Sequence, residues 1–221
     1  MKKDPHQEIK RRIIAQCLQL EKIGYFVGTW GNVSVRVPEG FIMTPSRIAY
    51  DVMVVEDFVT LALDRTVLHG HRLPSSETDV HRAVYNQRKD VGAIIHSHSP
   101  YASAVSCLRR SIPPFVEDLA QVAGATINCT QYARGGEHEK LARQVAKSIG
   151  QSNAVLLANH GAVTCGRDLA EAFVTAQIVE KAALMLLLTT GAGKLHSIPA
   201  KYVRAERNRY LYSYGTAKDF K

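Results

Sequence analysis

Two histidines one residue apart close a short apolar run near the middle of the chain. Residues 92–100 read Gly-Ala-Ile-Ile-His-Ser-His-Ser-Pro, and apolar runs that end in a breaker are typical of buried strands. Because alternate side chains of a strand share a face, we expect His96 and His98 to point the same way and to be able to bind one divalent ion. Two surface histidines in a turn would give the same pattern, so other parts of the chain must decide.

A third histidine follows another predicted strand. Residues 154–158 are apolar, Asn159-His160-Gly161 interrupts them, and residues 162–165 resume as a strand. Strand ends in one sheet can converge, and three imidazoles leave one position on zinc open for a substrate oxygen. Glu77 begins the predicted helix that leads into the His96 strand. Because a short helix–turn–strand unit can bring its two ends together, we expect Glu77 to lie near such a metal. His81 shares the helical face of Glu77, where packing or support of the ligands is expected rather than ligation.

Three polar loops precede this pair of histidines. They lie at residues 28–34, 44–47 and 74–76, and the last leads into a helix predicted from about Glu77 to Arg88. A helix N-terminus flanked by hydroxyls and loop amides favours a bound anion, although ordinary capping and turn chemistry would use the same residue types. The loops contain no Walker-type or G-x-G-x-x-G pattern, so a nucleotide is not indicated.

The remaining segments alternate between helical and strand patterns, which predicts an α/β fold. The predicted segments are a helix from Ile9 to Gly24, strands at 33–37, 40–43, 57–63, 67–68 and 126–129, helices at 99–110, 137–149 and 168–190, a loop at 112–118 that carries Glu117 and Asp118, and a basic, tyrosine-rich C-terminal stretch.

Composition restricts the class of protein. A chain of 221 residues that is 46% hydrophobic is long enough for one well-buried domain, and no run approaches the roughly 18 apolar residues of a membrane span. The N-terminus has no apolar signal region, and four isolated cysteines indicate reduced thiols, so a cytoplasmic location is expected. The net charge of +8 is dispersed and forms no aromatic-interleaved basic stripe, which disfavours nucleic acid and favours a small anionic metabolite.

Taken together, the motifs resemble those of the class II aldolase/adducin-head family. They are Gly28-Thr29-x-Gly31-Asn32-Val33-Ser34, Thr44-Pro45-Ser46, Pro74-Ser75-Ser76-Glu77, His96-x-His98 and Asn159-His160-Gly161, in the family's order and spacing. The resemblance extends over essentially the whole chain. It implies one domain over residues 1–221 with a C-terminal tail from about 200, built as a three-layer α/β/α sandwich around a mixed, mostly antiparallel sheet. It also implies a C4 homotetramer with active sites at subunit interfaces.

The resemblance assigns roles to ten residues. His96, His98 and His160 match the family's zinc ligands, for which Mn²⁺ or Co²⁺ could substitute. Glu77 matches its acid/base, which can also ligate the metal. The residues that match its phosphate pocket are Thr29, Asn32, Ser46, Ser75 and Ser76. The pair Tyr214-Gly215 resembles the aldolase tyrosine that protonates the aldehyde.

The function implied by the resemblance is zinc-dependent cleavage of a ketose 1-phosphate to dihydroxyacetone phosphate and an aldehyde. Two positions depart from the aldolase pattern: Arg47 replaces a glycine, and Glu117 falls where an interface tyrosine is expected. A carboxylate there is similar to the base of a dehydratase, so sugar-phosphate dehydration or 4-epimerisation is the alternative. A non-catalytic, adducin-like interaction domain is a further one. The sequence does not identify the sugar.

Overall fold

The computed structural model describes residues 5–216 and contains one seven-stranded sheet. The strands are β1 Asn32–Val37, β2 Gly40–Met43, β3 Val59–Leu61, β4 Val67–His69, β5 Ala93–Ser97, β6 Ala154–Leu157 and β7 Gly161–Gly166. They lie in the order β4-β3-β2-β1-β5-β7-β6, and each neighbouring pair is antiparallel. An isolated parallel bridge joins Cys129 to Leu156. The expected mostly antiparallel sheet is therefore confirmed, with every neighbouring pair of its seven strands antiparallel.

Helices cover both faces of this sheet. They are α1 Gln7–Lys22, α2 Thr78–Gln87, α3 Pro100–Cys107, α4 Glu117–Ala123, α5 His138–Ile149, α6 Leu169–Thr190 and α7 Ala200–Tyr212. On β5, Ile94 packs with Val84 and Val145 of α2 and α5, whereas Ile95 packs with Ile13 of α1. Because successive strand residues point to opposite faces, these two clusters lie on opposite sides of the sheet, as the predicted three-layer sandwich requires.

Three segments differ from the sequence prediction. Glu117 and Asp118 open helix α4 rather than lying in a loop, and the buried Leu119 and Ala123 hold that helix in the core. Its seven residues span only about two turns, too few for a helical period to be recognised. Residues 126–129 make only isolated bridges. The C-terminal stretch from 200 forms α7, which packs against α4.

Helix α6 is a core helix on the same face of the sheet as α1. Asp168 caps its N-terminus by accepting the amide of Glu171 at 2.8 Å, and Gly191 follows its end. It has 22 residues, and an 18-residue stretch of it has a mean hydropathy of 1.5, so it is long and apolar enough to cross a membrane by length and composition. It packs against β5, β7, α3 and α4, with Val179 and Ala183 buried. Burial inside the protein accounts for its apolar composition.

Candidate metal centre and substrate pocket

His96 lies in the middle of the sheet, where it is 1% exposed. On β5 it is paired with Asn32 of β1 on one side and with Val163 of β7 on the other. Its Nδ1 lies 3.0 Å from the carbonyl oxygen of Ala162. Because a carbonyl only accepts, Nδ1 carries the hydrogen, and this bond fixes the ring so that Nε2 faces the site.

His98 and His160 converge on the same point. One potential ligand atom from each of the three histidines lies within 4.8 Å of the others, and the Nε2 atoms of His96 and His98 are 2.9 Å apart. His160 is delivered by the turn between β6 and β7, in which Asn159 adopts a left-handed φ of 58°. A Cβ on Gly161 would lie 2.3 Å from the carbonyl oxygen of Ser97, so only glycine lets this turn approach β5.

Glu77 completes the cluster from the start of α2. Its Oε2 lies 2.9 Å from His96 Nε2, and its Oε1 lies 3.3 Å from His160 Nε2. Three imidazole nitrogens and a carboxylate are the donors that zinc and similar divalent transition metals take in proteins. The residues present therefore fit a metal of this kind.

The charges of the cluster residues shift one another's pKa values. Burial opposes ionisation of Glu77, but the charge and hydrogen bond of His96 outweigh it and hold the pKa of this carboxyl well below its usual range. Burial likewise opposes charge on His96, whereas Glu77 raises its pKa. Burial and the charge on His96 lower the pKa of His98 to about 3 and that of His160 to about 4. His98 and His160 are therefore neutral and able to ligate a metal, which would compete with a proton for His96.

A pocket of about 470 Å³ opens beside the cluster. Its walls are Thr29, Trp30, Gly31, Asn32, Pro45, Ser46, Arg47, Ser75, Ser76, Glu77, His96, His98 and His160. The structure therefore brings the five residues matched to a phosphate pocket together with the four matched to the metal. Backbone hydrogen bonds join two of the three loops: Ser46 N donates to Leu73 O at 2.9 Å, and Ser75 N donates to Thr44 O at 3.1 Å.

Two further pocket residues have features that the sequence did not reveal. Arg47 is exposed and has a φ of 60°, a region that non-glycine residues seldom adopt. Trp30 is 66% exposed, and its ring centroid lies 5.8 Å from that of His98. The glycines on either side of the Thr29–Trp30 turn were the only sequence signal of its exposure.

Glu117 and Tyr214 lie elsewhere. Both line a larger groove of about 810 Å³ formed by α4, α6, α7 and the loop before α7, and this groove contains none of the metal-cluster residues. Within one chain, neither side chain belongs to the pocket that holds Glu77.

Comparison with known proteins agrees with this arrangement. Residues 11–187 match the family described as class II aldolase and adducin N-terminal domain. The L-fuculose phosphate aldolase of Haemophilus influenzae is 40% identical over 188 residues, which cover 83% of this chain and 85% of that one. The 5-deoxy-D-ribulose 1-phosphate aldolase of Bacillus thuringiensis is 33% identical, with 87% and 91% covered. A solved L-fuculose 1-phosphate aldolase superposes with a TM-score of 0.88 at 32% identity, covering 95% of this chain and all of the other.

The fold, the histidine cluster and these relatives together define an enzyme, an aldehyde-lyase of the class II aldolase type. The chain belongs to the class II aldolase and adducin N-terminal domain family. Class II aldolases depend on a metal, and the histidine cluster is where this chain could bind one.

Proposed function

We propose that this chain is a zinc-dependent aldolase that cleaves a ketose 1-phosphate to dihydroxyacetone phosphate and an aldehyde. One observation carries the proposal: three histidines and Glu77 converge beside a pocket walled by hydroxyl-bearing loops and a helix N-terminus. The names of two relatives support the substrate class, since one is named for L-fuculose phosphate and the other for 5-deoxy-D-ribulose 1-phosphate.

The phosphate group would bind away from the metal, among Thr29, Asn32, Ser46, Ser75 and Ser76. Hydroxyls and the N-terminal end of α2 favour a dianion there. The exposed guanidinium of Arg47 lies in the same wall and adds a cation where the aldolase pattern has glycine. Holding this remote group aligns the carbon atoms that react.

His96, His98, His160 and Glu77 would hold the metal. A mainly nitrogen donor set suits zinc, and Mn²⁺ or Co²⁺ could occupy the same donors. When bound, the cation supplies a Lewis acid that stabilises negative charge developing on the carbonyl oxygen of the substrate.

Two protons move during cleavage. The C4 hydroxyl loses one as the C3–C4 bond breaks, and C3 gains one to become the hydroxymethyl carbon of dihydroxyacetone phosphate. We assign the proton at C3 to Glu77. In the condensation direction its ionised form is the base that removes this proton. The proton at the C4 oxygen is assigned to Tyr214.

This assignment of Tyr214 requires a second copy of the chain, because the groove of Tyr214 and Glu117 is separate from the metal pocket. A C4 homotetramer would bring the two sites together. Exposed apolar side chains support an interface near the pocket: Val27 is 64% exposed, Trp30 66% and Leu73 80%. The burial of α6 supports a soluble protein, the four free cysteines support a cytoplasmic one, and the packing of both helical layers on one sheet supports a single domain.

The alternatives use the same metal site. Dehydration or 4-epimerisation of a sugar phosphate would employ Glu117 as the base, again from a second copy. A non-catalytic, adducin-like domain would have no need of a complete donor set, and this chain has one.

A panel of ketose 1-phosphates offered to the zinc-loaded protein tests the proposal. We expect dihydroxyacetone phosphate and one equivalent of aldehyde from at least one deoxyketose 1-phosphate. Loss of water without carbon–carbon cleavage would establish the dehydratase instead, and inversion at C4 without cleavage the epimerase. Undiminished cleavage by a chelator-treated, metal-free protein would overturn the role of the metal.

A further inference from the structure

A chain of buried polar side chains leads from Glu77 into the core between α2 and the sheet. Asn32 Nδ2 lies 3.0 Å from Glu77 Oε2, and Asn32 Oδ1 lies 2.6 Å from His81 Nε2. On the other side of the ring, His81 Nδ1 lies 2.7 Å from Ser34 Oγ, which lies 2.8 Å from the hydroxyl of Tyr85. Five residues are thus joined by four hydrogen bonds.

The residue spacings of strand β1 and helix α2 produce this chain of hydrogen bonds. Asn32 and Ser34 share one face of β1 because they are two residues apart in a strand, and Glu77, His81 and Tyr85 share one face of α2 because they are four apart. The two faces meet, so the residues interleave in the order Glu77, Asn32, His81, Ser34, Tyr85. His81, Ser34 and Tyr85 are each 0% exposed, and Asn32 is 5% exposed.

Chemistry fixes the direction of every bond. An ionised Glu77 only accepts, so Asn32 must present its N–H group to it and its carbonyl oxygen to His81. His81 therefore donates from Nε2. Burial, followed by the charge on His96, lowers the pKa of His81 to about 3, so the ring is neutral and its Nδ1 accepts from Ser34. The hydroxyl of Ser34 has used its hydrogen and accepts from Tyr85.

The contact between Asn32 and Glu77 excludes the opposite direction of these hydrogen bonds. A His81 ring protonated on Nδ1 would turn its Nε2 lone pair toward Asn32 and favour the flipped amide. The carbonyl oxygen of Asn32 would then lie 3.0 Å from a carboxylate oxygen, which brings two acceptors together. All four bonds therefore donate toward Glu77, and bonds aligned head to tail strengthen one another in a buried site.

We propose that His81, Ser34 and Tyr85 are positioning residues that lock the side-chain amide of Asn32, so that its N–H group fixes the Glu77 carboxylate for proton transfer. This inference rests on the proposed function, because it deepens the role of Glu77 in that reaction. Tyr85 is the most informative of them, because three residues of the hydrogen-bond chain lie between it and Glu77 and it does not line the pocket.

Two variants and a matched control test the role. Tyr85→Phe and Ser34→Ala each remove one buried hydroxyl of the chain. The control, Thr175→Val, also removes a buried hydroxyl. Thr175 lies on α6, outside the hydrogen-bond chain, where it is 0% exposed and donates to the carbonyl oxygen of Glu171. In the zinc-loaded enzymes we expect kcat to fall about 10-fold in the two chain variants with KM little changed, and Thr175→Val to retain the parental kcat. Thermal unfolding and zinc content identify any variant that has simply lost its fold or its metal.

A second measurement does not need activity. Protein labelled with ¹⁵N-histidine should display His81 as the neutral tautomer with hydrogen on Nε2, in the metal-free and the zinc-loaded protein alike. In Ser34→Ala the contact between Asn32 and Glu77 is intact, so we expect the same tautomer, with the Nδ1 resonance shifted because its hydrogen-bond donor is lost. A His81 ring with hydrogen on Nδ1 in the parent protein would overturn the proposal.

The two readouts separate this inference from the proposed function. If the parent protein cleaves no ketose 1-phosphate, the aldolase proposal is wrong. The tautomer of His81 would still decide whether the hydrogen bonds from Tyr85 to Glu77 run as described. If the parent is active and the folded, zinc-loaded Tyr85→Phe and Ser34→Ala enzymes match Thr175→Val in kcat, the positioning role is wrong.

Discussion

His96 Nε2 and Glu77 Oε2 are 2.9 Å apart, and their side chains are only 1% and 12% exposed. This buried contact joins strand β5, which carries His96 and is followed directly by His98, to the helix that begins at the pocket. The contact lowers the pKa of Glu77 and raises that of His96, so without a metal it favours an ion pair. A metal ion would take the place of the proton on His96, so metal binding should release a proton and weaken as the pH falls.

Replacing a single ligand should remove the metal. In His98→Ala the cluster loses one of three nitrogen donors, and we expect zinc to fall from one per chain to background, with loss of cleavage. The zinc content per chain is measured by metal analysis after gel filtration. His69→Ala, which removes an exposed histidine of β4, should retain zinc. A His98→Ala protein with a full complement of zinc would show that the histidine cluster is not the metal site.

Glu77→Gln should separate metal binding from chemistry. The three histidines remain, so we expect zinc to stay bound, while kcat falls by about 100-fold or more because the amide cannot carry the proton at C3. Glu139→Gln, on the surface of α5, is the control for loss of a carboxylate and should leave kcat unchanged. Normal turnover by Glu77→Gln would exclude Glu77 as the acid/base.

Arg47→Asn should weaken substrate binding. Asparagine tolerates the left-handed backbone at this position but carries no cation, so we expect KM for the phosphorylated substrate to rise about 10-fold with kcat nearly unchanged. Arg65 also has a positive φ, 84°, and pairs with Asp79 and Glu139 outside the pocket. Arg65→Asn should therefore leave KM unaltered. An equal KM for the two variants would remove Arg47 from the phosphate site.

Stability of the metal-free protein should fall as the pH is lowered. Burial and the charge on His96 lower the pKa of His81 to about 3 in the folded state, while the unfolded chain titrates near pH 6.5. Between these values the unfolded state binds a proton that the folded state does not, so acid favours unfolding. From about pH 6.5 to about pH 5 this one wholly buried group should cost about 2 kcal/mol. Urea unfolding across this range should give a shallower pH dependence for His81→Gln than for the parent, and parallel curves would contradict the prediction.

The protein's single tryptophan offers an optical readout of metal binding. Trp30 is the only one in the sequence, and its ring lies 5.8 Å from that of His98. Titrating the metal-free protein with Co²⁺ should quench its fluorescence and saturate at one ion per chain. His98→Ala should respond only at much higher concentration. Unquenched fluorescence in a cobalt-loaded protein would place the metal away from this pocket.

Much of the site could be predicted because its signals are local. The period of two in a strand placed His96 and His98 together, and the Asn-His-Gly interruption marked the turn that delivers His160. The seven residues of α4 and the bridges of 126–129 were missed, because short elements carry too few residues to express a period.

The sequence by itself determined the donor set, the hydroxyl-bearing loops and the family to which the chain belongs, since each depends on residue type and spacing along the chain. Only the tertiary structure decided which distant residues meet. The order of strands brings β7 beside β5 and so His160 to His96, and the packing of α2 on β1 joins Asn32 to His81. The same packing leaves Glu117 and Tyr214 in a different groove from Glu77. Spacing along a chain fixes neighbours within one element, whereas contacts between elements depend on which faces can be buried together.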